Sequence, residues 1–276
     1  MKINLTLRVM GKRSDGYHDI CSLYWRILSP ENLGISYGTG ADRVSVSGAE
    51  IAGENILLRA CRLLRKIRGG DALPPLDLSL VKRVPPGSGV GAGSGNAAAL
   101  LKWFGRLGGE RPSPSDAVTL GADVAFLASD LDLALAGGVG GRLEEVPGDL
   151  DPHVVLFFPE WSSGTREAYE ALDGIVGRKV LREEESRSES LDILSGILQG
   201  RRVGMLPNDF IQCFKKYESC YNSLYDMIEM SGALAWGLCG SGSACFALYE
   251  RSEAARGVAG LGGASRFKWL RSMMFL

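Results

Sequence analysis

The chain has 276 residues, with 31 Lys and Arg against 32 Asp and Glu, giving a formal net charge of −1. At 45% hydrophobic and 23% charged it has an ordinary globular composition, which excludes wholesale disorder. The length is enough for a core that needs no disulfide or metal, and the balanced charge lacks the basic excess of a protein that grips a nucleic-acid backbone.

In chain order, Ile3, Leu5, Leu7 and Val9 alternate with Asn4, Thr6 and Arg8, the period of a half-buried strand. GKRSDGYH reads as a turn, tightest at Asp15-Gly16. ICSLYWRIL and RVSVSG read as the second and third strands. GENILLRACRLLRKIRGG has apolar residues at helical spacing, with Gly69-Gly70 as its stop. LDLSLVKRV alternates again as a strand and ends at Pro85-Pro86. A glycine-dense loop follows, and a helix is expected from near Asn96. GRLGGERPSPSDAVTL is loop-like, GADVAFLAS is a short apolar run holding one acid, Asp123, and LDLALAGGVGG is a strand with a glycine-rich exit. PGDLDP, at 147–152, is the best candidate linker, so the expected domains are 1–150 and 151–276.

HVVLFFP then opens a buried strand. GRKVLREEESRSESLDILSGIL is helical in flavour, its Glu183, Glu184 and Glu185 forming a solvated face. NDFIQCFKKYESCYNSLYDMIEMS suggests one or two amphipathic helices, and ALAWGLCGSGSACFALYE a strand, a Gly-Ser turn and a strand. A small helix near SEAARGVAG and a last strand in FKWLRSMMFL complete an α+β pattern without strict βαβ alternation. The six cysteines form no CxxC pair and the only histidines are His18 and His153, so the thiols read as reduced small hydrophobes and no metal site is assigned. No stretch approaches the ~18 apolar residues of a membrane span, and the alternating N-terminus is unlike a signal peptide. The expectation is a cytoplasmic protein with no membrane or nucleic-acid partner.

The segment Gly87, Ser88, Gly89, Val90, Gly91, Ala92, Gly93, Ser94, Gly95 holds five glycines in nine residues. Such a loop lets backbone N–H groups approach an anion, and the helix behind it adds ~+0.5 of charge at its N-terminus. The chemistry is that of a phosphate cradle, with Ser88 and Ser94 as hydroxyl donors. A Walker A loop would end in Lys-Ser/Thr, and Gly95-Asn96 stands there instead. The dinucleotide pattern G-x-G-x-x-G/A is met formally, but the text downstream lacks the second strand and its acid. A loop that merely turns a corner is the remaining alternative.

VPPGSGVGAGSGNAAALL resembles the second motif of the GHMP kinases, small-molecule kinases that bind ATP phosphates without a Walker lysine. GLCGSGSACFAL resembles their third motif. Lys-Ile-Asn-Leu, followed by Gly-x-Arg-x-Asp-Gly-Tyr-His, is similar to the branch acting on 4-diphosphocytidyl-2-C-methyl-D-erythritol. LGADVAF, ENILLRA and PNDF also fit.

The resemblance implies a two-lobed fold, with an N-terminal lobe like a small-ribosomal-subunit protein and a ferredoxin-like C-terminal lobe. It implies transfer of the γ-phosphoryl group of ATP, with Mg²⁺, to the C2 hydroxyl of that cytidine-diphosphate substrate, by a monomer or homodimer. Lys2 and Asp123 map to the catalytic lysine and aspartate, and Pro85 and Pro86 through Gly95 to the ATP loop. Asn4, Tyr17, His18 and Tyr169 map to the substrate site, with Tyr17 and Tyr169 able to sandwich a pyrimidine. Gly240, Ser241 and Gly242 would form a second phosphate nest. The sequence departs from the family in four places: only Met1 precedes the lysine where Pro-Ala is usual, Ala125 replaces a proline, Gly95 replaces a common serine, and the glycine-rich exit AGGVGGRLEE is looser than the usual pattern. For the first departure, either the start is misplaced or the first strand is clipped, and fraying there would loosen Lys2. The alternatives are a family kinase for homoserine, mevalonate or a sugar, and a catalytically weakened nucleotide-binding protein.

Overall fold

The computed structural model describes residues 1–68, 73–261 and 267–276. The expected helix stop at Gly69-Gly70 lies outside these. In chain order the elements are β1 (Lys2–Lys12), β2 (His18–Arg26), β3 (Asn32–Tyr37), β4 (Arg43–Ser47), α1 (Ile56–Arg68), β5 (Leu76–Val81), α2 (Ala92–Arg106), α3 (Pro114–Val118) and α4 (Ala122–Ala128). There follow β6 (Leu133–Gly138), β7 (Arg142–Glu145), β8 (His153–Pro159), α5 (Thr165–Asp173), α6 (Glu183–Leu198), β9 (Gly204–Met205), a 3-10 helix (Asp209–Tyr217), α7 (Glu218–Met230), β10 (Ala235–Leu238), β11 (Cys245–Tyr249), α8 (Ala254–Gly260) and β12 (Leu270–Phe275).

The chain forms two compact units interleaved in sequence. The first holds Met1–Lys2, Arg26–Pro86 and Gly91–Asp132; the second holds Ile3–Trp25, Gly87–Val90 and Leu133–Leu276. Pro147–Pro152 is coil inside the second unit.

In the first unit a three-stranded sheet runs β3-β5-β4, with β5 antiparallel to β3 and parallel to β4. Leu76, Leu78 and Leu80 alternate into the core along β5. α1 buries Leu57, Ala60, Cys61 and Leu64, the i, i+3, i+4, i+7 stripe of an amphipathic helix. α2 packs against α1 and α4, and buries Ala97, Ala98, Leu101 and Phe104. Two expectations need correction here. GRLGGERPSPSDAVTL is not all loop, because Ser113 and Asp116 form a reciprocal capping box that starts α3 with Pro114 at its first turn. β3 lies in NLGISY, where Gly34 and the polar neighbours hide the strand period.

The second unit has two sheets, ordered β1-β2-β6-β7 and β12-β8-β11-β10-β9. β8 and β11 are buried almost throughout, matching their continuous apolar runs. β10 and β11 pair antiparallel about the Gly-Ser turn, and Glu183, Glu184 and Glu185 are exposed in the first turn of α6, both as expected. β1 joins this unit through Leu7 N, which donates to Pro207 O at 2.9 Å, and through Thr6, whose hydroxyl meets Ser190 Oγ at 2.7 Å.

Candidate active site

In the first unit, α4 carries Asp123 in its first turn, and Lys2 Nζ lies 3.3 Å from Asp123 Oδ1. The lysine side chain is 3% exposed and the aspartate 26%. The expected fraying of the first strand is not found. Met1 is buried, its nitrogen donates to Ile27 O at 3.0 Å, and β1 is regular from Lys2 onward. Lys2 is therefore anchored and buried, and the expectation of a loosened lysine is corrected.

The helical half of the glycine segment stands over this pair. Gly91 has φ 66° and is the N-cap of α2, a left-handed conformation that only glycine takes without strain. A Cβ there would meet Asp123 Oδ2 and Lys2 Cγ, each at 3.3 Å. The helix begins at Ala92 and not near Asn96, so Gly93, Ser94 and Gly95 form its first turn. The glycines concealed that start, because helix propensity at Gly93 and Gly95 is poor. No side chain caps α2, which leaves first-turn N–H groups and the positive end of the helix dipole for an anion. A Cβ at Gly93 would touch nothing within 4 Å, so the backbone there is open to approach. Behind it Glu31, its side chain fully buried, takes Lys82 Nζ at 2.6 Å, Asn96 Nδ2 at 2.7 Å and Val84 N at 3.3 Å. That network ties the strand leading to Pro85 and Pro86 to the second turn of α2.

In the second unit, the loop half Gly87–Val90 is pinned to the Gly-Ser turn. Gly87 and Gly89 have φ 70° and 82°. A Cβ on Gly89 would sit 1.9 Å from Cys239 O, so no other residue fits. Ser88 is buried and its carbonyl accepts from Ala244 N at 3.1 Å, while Val90 is fully buried. Asn208 donates to Leu238 O at 3.0 Å and Gly240 O at 2.9 Å, holding the turn from below. Gly240 and Gly242 also have positive φ, 54° and 90°, and Ser241 Oγ lies 3.3 Å from Thr165 Oγ1. Asn4 is buried and donates to Ser22 Oγ at 2.8 Å.

His18 and Tyr169 come together as the spacing-blind sequence could not show. Their rings stack at 4.5 Å with 19° between planes, and Phe210 meets Tyr169 at 4.8 Å in a T-shaped pair. His18 Nε2 pairs with Asp173 Oδ1 at 2.7 Å, and Lys12 Nζ reaches Asp173 Oδ2 at 2.8 Å. Hydrogen bonding from Lys12, then from His18, holds the Asp173 carboxyl below its ordinary range. Tyr17 is 67% exposed. With His18 already on one face of Tyr169, a Tyr17–Tyr169 sandwich has one face fewer than the sequence suggested. Asn208, Phe210 and Asp173 are residues that motif reading did not place in the site; PNDF was the one visible signal for the first two.

Family models for the GHMP kinases N terminal domain and GHMP kinases C terminal match residues 55–136 and 195–262. The chain is 34% identical to the 4-diphosphocytidyl-2-C-methyl-D-erythritol kinase of Chlorobium luteolum over 92% of this chain and 88% of that one. It is 34% identical to the enzyme of the same name from Ruegeria pomeroyi, over 90% and 86%. A crystal structure of 4-(cytidine 5'-diphospho)-2C-methyl-D-erythritol kinase superposes with TM-score 0.75 at 28% identity, covering 99% of this chain and 95% of that one. The chain belongs to the GHMP kinases, in the 4-diphosphocytidyl-2-C-methyl-D-erythritol kinase family. Its mixed α/β fold is the GHMP kinase fold, and membership implies ATP as a substrate. Among the described residues no helix is long and apolar enough to cross a membrane.

Proposed function

We propose that the protein transfers the γ-phosphoryl group of ATP to the C2 hydroxyl of 4-diphosphocytidyl-2-C-methyl-D-erythritol. The observation that carries this is the Lys2–Asp123 pair at 3.3 Å beneath Gly91, in a chain whose relatives bear that name over most of their length. The C2 oxygen attacks Pγ, an O–P bond forms, and the bond from Pγ to the β,γ-bridging oxygen breaks to release ADP. An alcohol is a poor nucleophile, so its proton must leave, and the Asp123 carboxylate accepts it. The Lys2 ammonium offsets charge developing on the transferred group.

The triphosphate, arriving with Mg²⁺ as the nucleotide complex, would be held by Pro85 to Gly95, with backbone amides and the α2 dipole as the main attraction. Mg²⁺ in such sites is held largely by substrate phosphates and water, which leaves the Asp123 carboxylate for the acceptor proton. The cytosine would stack against Tyr17 and the Tyr169–His18 pair, Asn4 would contact the acceptor, and Gly240, Ser241 and Gly242 would take the substrate diphosphate through backbone amides. The proposal includes a cytoplasmic monomer or homodimer, and the family division at 1–150 and 151–276.

Measuring ADP release with Mg-ATP across an alcohol panel tests it. Turnover with the cytidylated methylerythritol, and none with homoserine or mevalonate, is expected. ATP binding without turnover on any alcohol would overturn it.

A further inference from the structure

We propose that Arg26 is a positioning residue for phosphoryl transfer, setting Asp123 through the far end of α4, while the neighbouring Ile27 carbonyl sets Lys2. This rests on the function proposed above. α4 has seven residues, too few to be stable by itself. Ser129, its C-cap, turns its N–H and hydroxyl back onto Phe126 O, and the carbonyls beyond need donors from outside the helix. Arg26 supplies donors at this end: Nη1 donates to Leu127 O at 3.0 Å, and Nη2 to Phe126 O at 3.1 Å and to Ser129 O of the C-cap at 2.9 Å. The same guanidinium reaches Leu131 O at 2.6 Å and Asp132 Oδ1 at 3.1 Å, and lies 5.2 Å from the Phe126 ring centroid.

A planar cation with five donors matches this spread of carbonyls, and its charge complements the negative end of the helix. Lysine, a point charge with three donors, does not. The next residue, Ile27, accepts from the Met1 nitrogen at 3.0 Å and so fixes the residue before Lys2. Two adjacent residues thus anchor both members of an ion pair whose atoms lie 3.3 Å apart. Arg26 acts through α4, at the opposite end from the carboxylate. A tilt of the short helix would shift Asp123, and a misplacement of ~1 Å can cost ~10²-fold in rate.

Steady-state kinetics on Arg26→Lys and Arg26→Ala test this. The expected kcat falls ~10–100-fold, with KM for ATP and acceptor within about threefold of wild type because the binding loops are untouched. Guanidinium at a sub-denaturing concentration should restore part of the Arg26→Ala rate, a rescue that general destabilisation would not give. Hydrogen exchange should speed up in 122–129 while α2 keeps its protection. Unchanged kcat in an active protein, or equal loss of protection in α2 and α4, overturns the proposal. Should Arg26→Ala fail to fold, Arg26→Lys carries the same readings. If the wild type proves inactive on every alcohol, the function proposed above fails, and exchange in 122–129 alone decides the role of Arg26.

Discussion

The absent Cβ of Gly91 would lie 3.3 Å from Asp123 Oδ2, and Gly91 itself has φ 66°. Backbone conformation and side-chain room therefore demand glycine at the same point. Gly91→Ala should cost ~1–3 kcal/mol of stability from the left-handed strain, and should lower kcat by pushing the carboxylate off line. Gly95 has no such constraint. It has helical φ within α2, and a Cβ would find Met1 N at 3.7 Å and Leu127 Cδ1 at 4.0 Å, ordinary contact. Gly95→Ser should change stability by no more than ~0.5 kcal/mol. Thermal melts of the two variants check the contrast; equal losses would show that the conformation of Gly91 is not what matters.

Asp123→Asn keeps the shape of the side chain and removes the proton acceptor. The expected kcat drop is ~10²–10⁴-fold, with ATP affinity largely retained. Lys2→Met should lower kcat as well. It should also destabilise the protein little, because Asp123 is 26% exposed and water replaces the lost partner. Isothermal titration with ATP alongside ADP-release assays separates binding from turnover. A fully active Asn variant would remove Asp123 from the chemistry.

The glycine segment was legible because its composition alone fits few purposes, and the strands of the second unit because their apolar runs are long. The juxtapositions were not legible. Lys2 reads as an exposed terminal residue until Ile27 is seen to hold the backbone before it. Asp173 carries no motif, yet it fixes the His18 ring. Arg26 looks like one surface charge in a strand, because the carbonyls it satisfies belong to residues 126–131, far along the chain. Period and composition report a residue's own element; they are silent about which other element's unpaired groups it meets.

Tyr17 and Tyr169 differ in what surrounds them, and that difference predicts different phenotypes. Tyr17 is 67% exposed, so Tyr17→Ala should leave stability within ~0.5 kcal/mol. Tyr169 stacks on His18 at 4.5 Å and meets Phe210 at 4.8 Å, so its truncation should also lower the melting temperature. Base stacking of ~1–3 kcal/mol corresponds to a rise in acceptor KM of roughly 5–150-fold for either variant. An unchanged KM for Tyr17→Ala would take that ring out of the cytosine site.

Cys21, Cys61, Cys213, Cys220 and Cys245 are free thiols. Burial pushes the thiols of Cys21 and Cys213 up to about 11, and those of Cys61 and Cys245 up to about 12. The thiolate is the reacting form. At pH 8 Cys61 and Cys245 should therefore escape iodoacetamide in the native protein, while all six label after denaturation. Mass spectrometry of the two samples reads this directly, and native labelling of Cys245 at the denatured rate would contradict its burial.

Asp173 gives the protein an acid-side dependence whose sign follows from its partners. Hydrogen bonding from Lys12 and then His18 lowers its carboxyl below the ordinary 3.8. A carboxyl whose folded value is depressed contributes stability that is complete above its unfolded value and disappears as pH falls through the folded one. Asp173→Asn should thus be less stable than wild type by a constant amount above about pH 5, and the gap should close as pH falls below the depressed folded value. The side chain is 30% exposed, so solvent screening keeps the difference under ~1 kcal/mol. Urea unfolding of both proteins at a series of pH values measures it. A gap that widens on acidification would mean the carboxylate is not held ionised by Lys12 and His18, and that the His18–Tyr169 stack is fixed by packing alone.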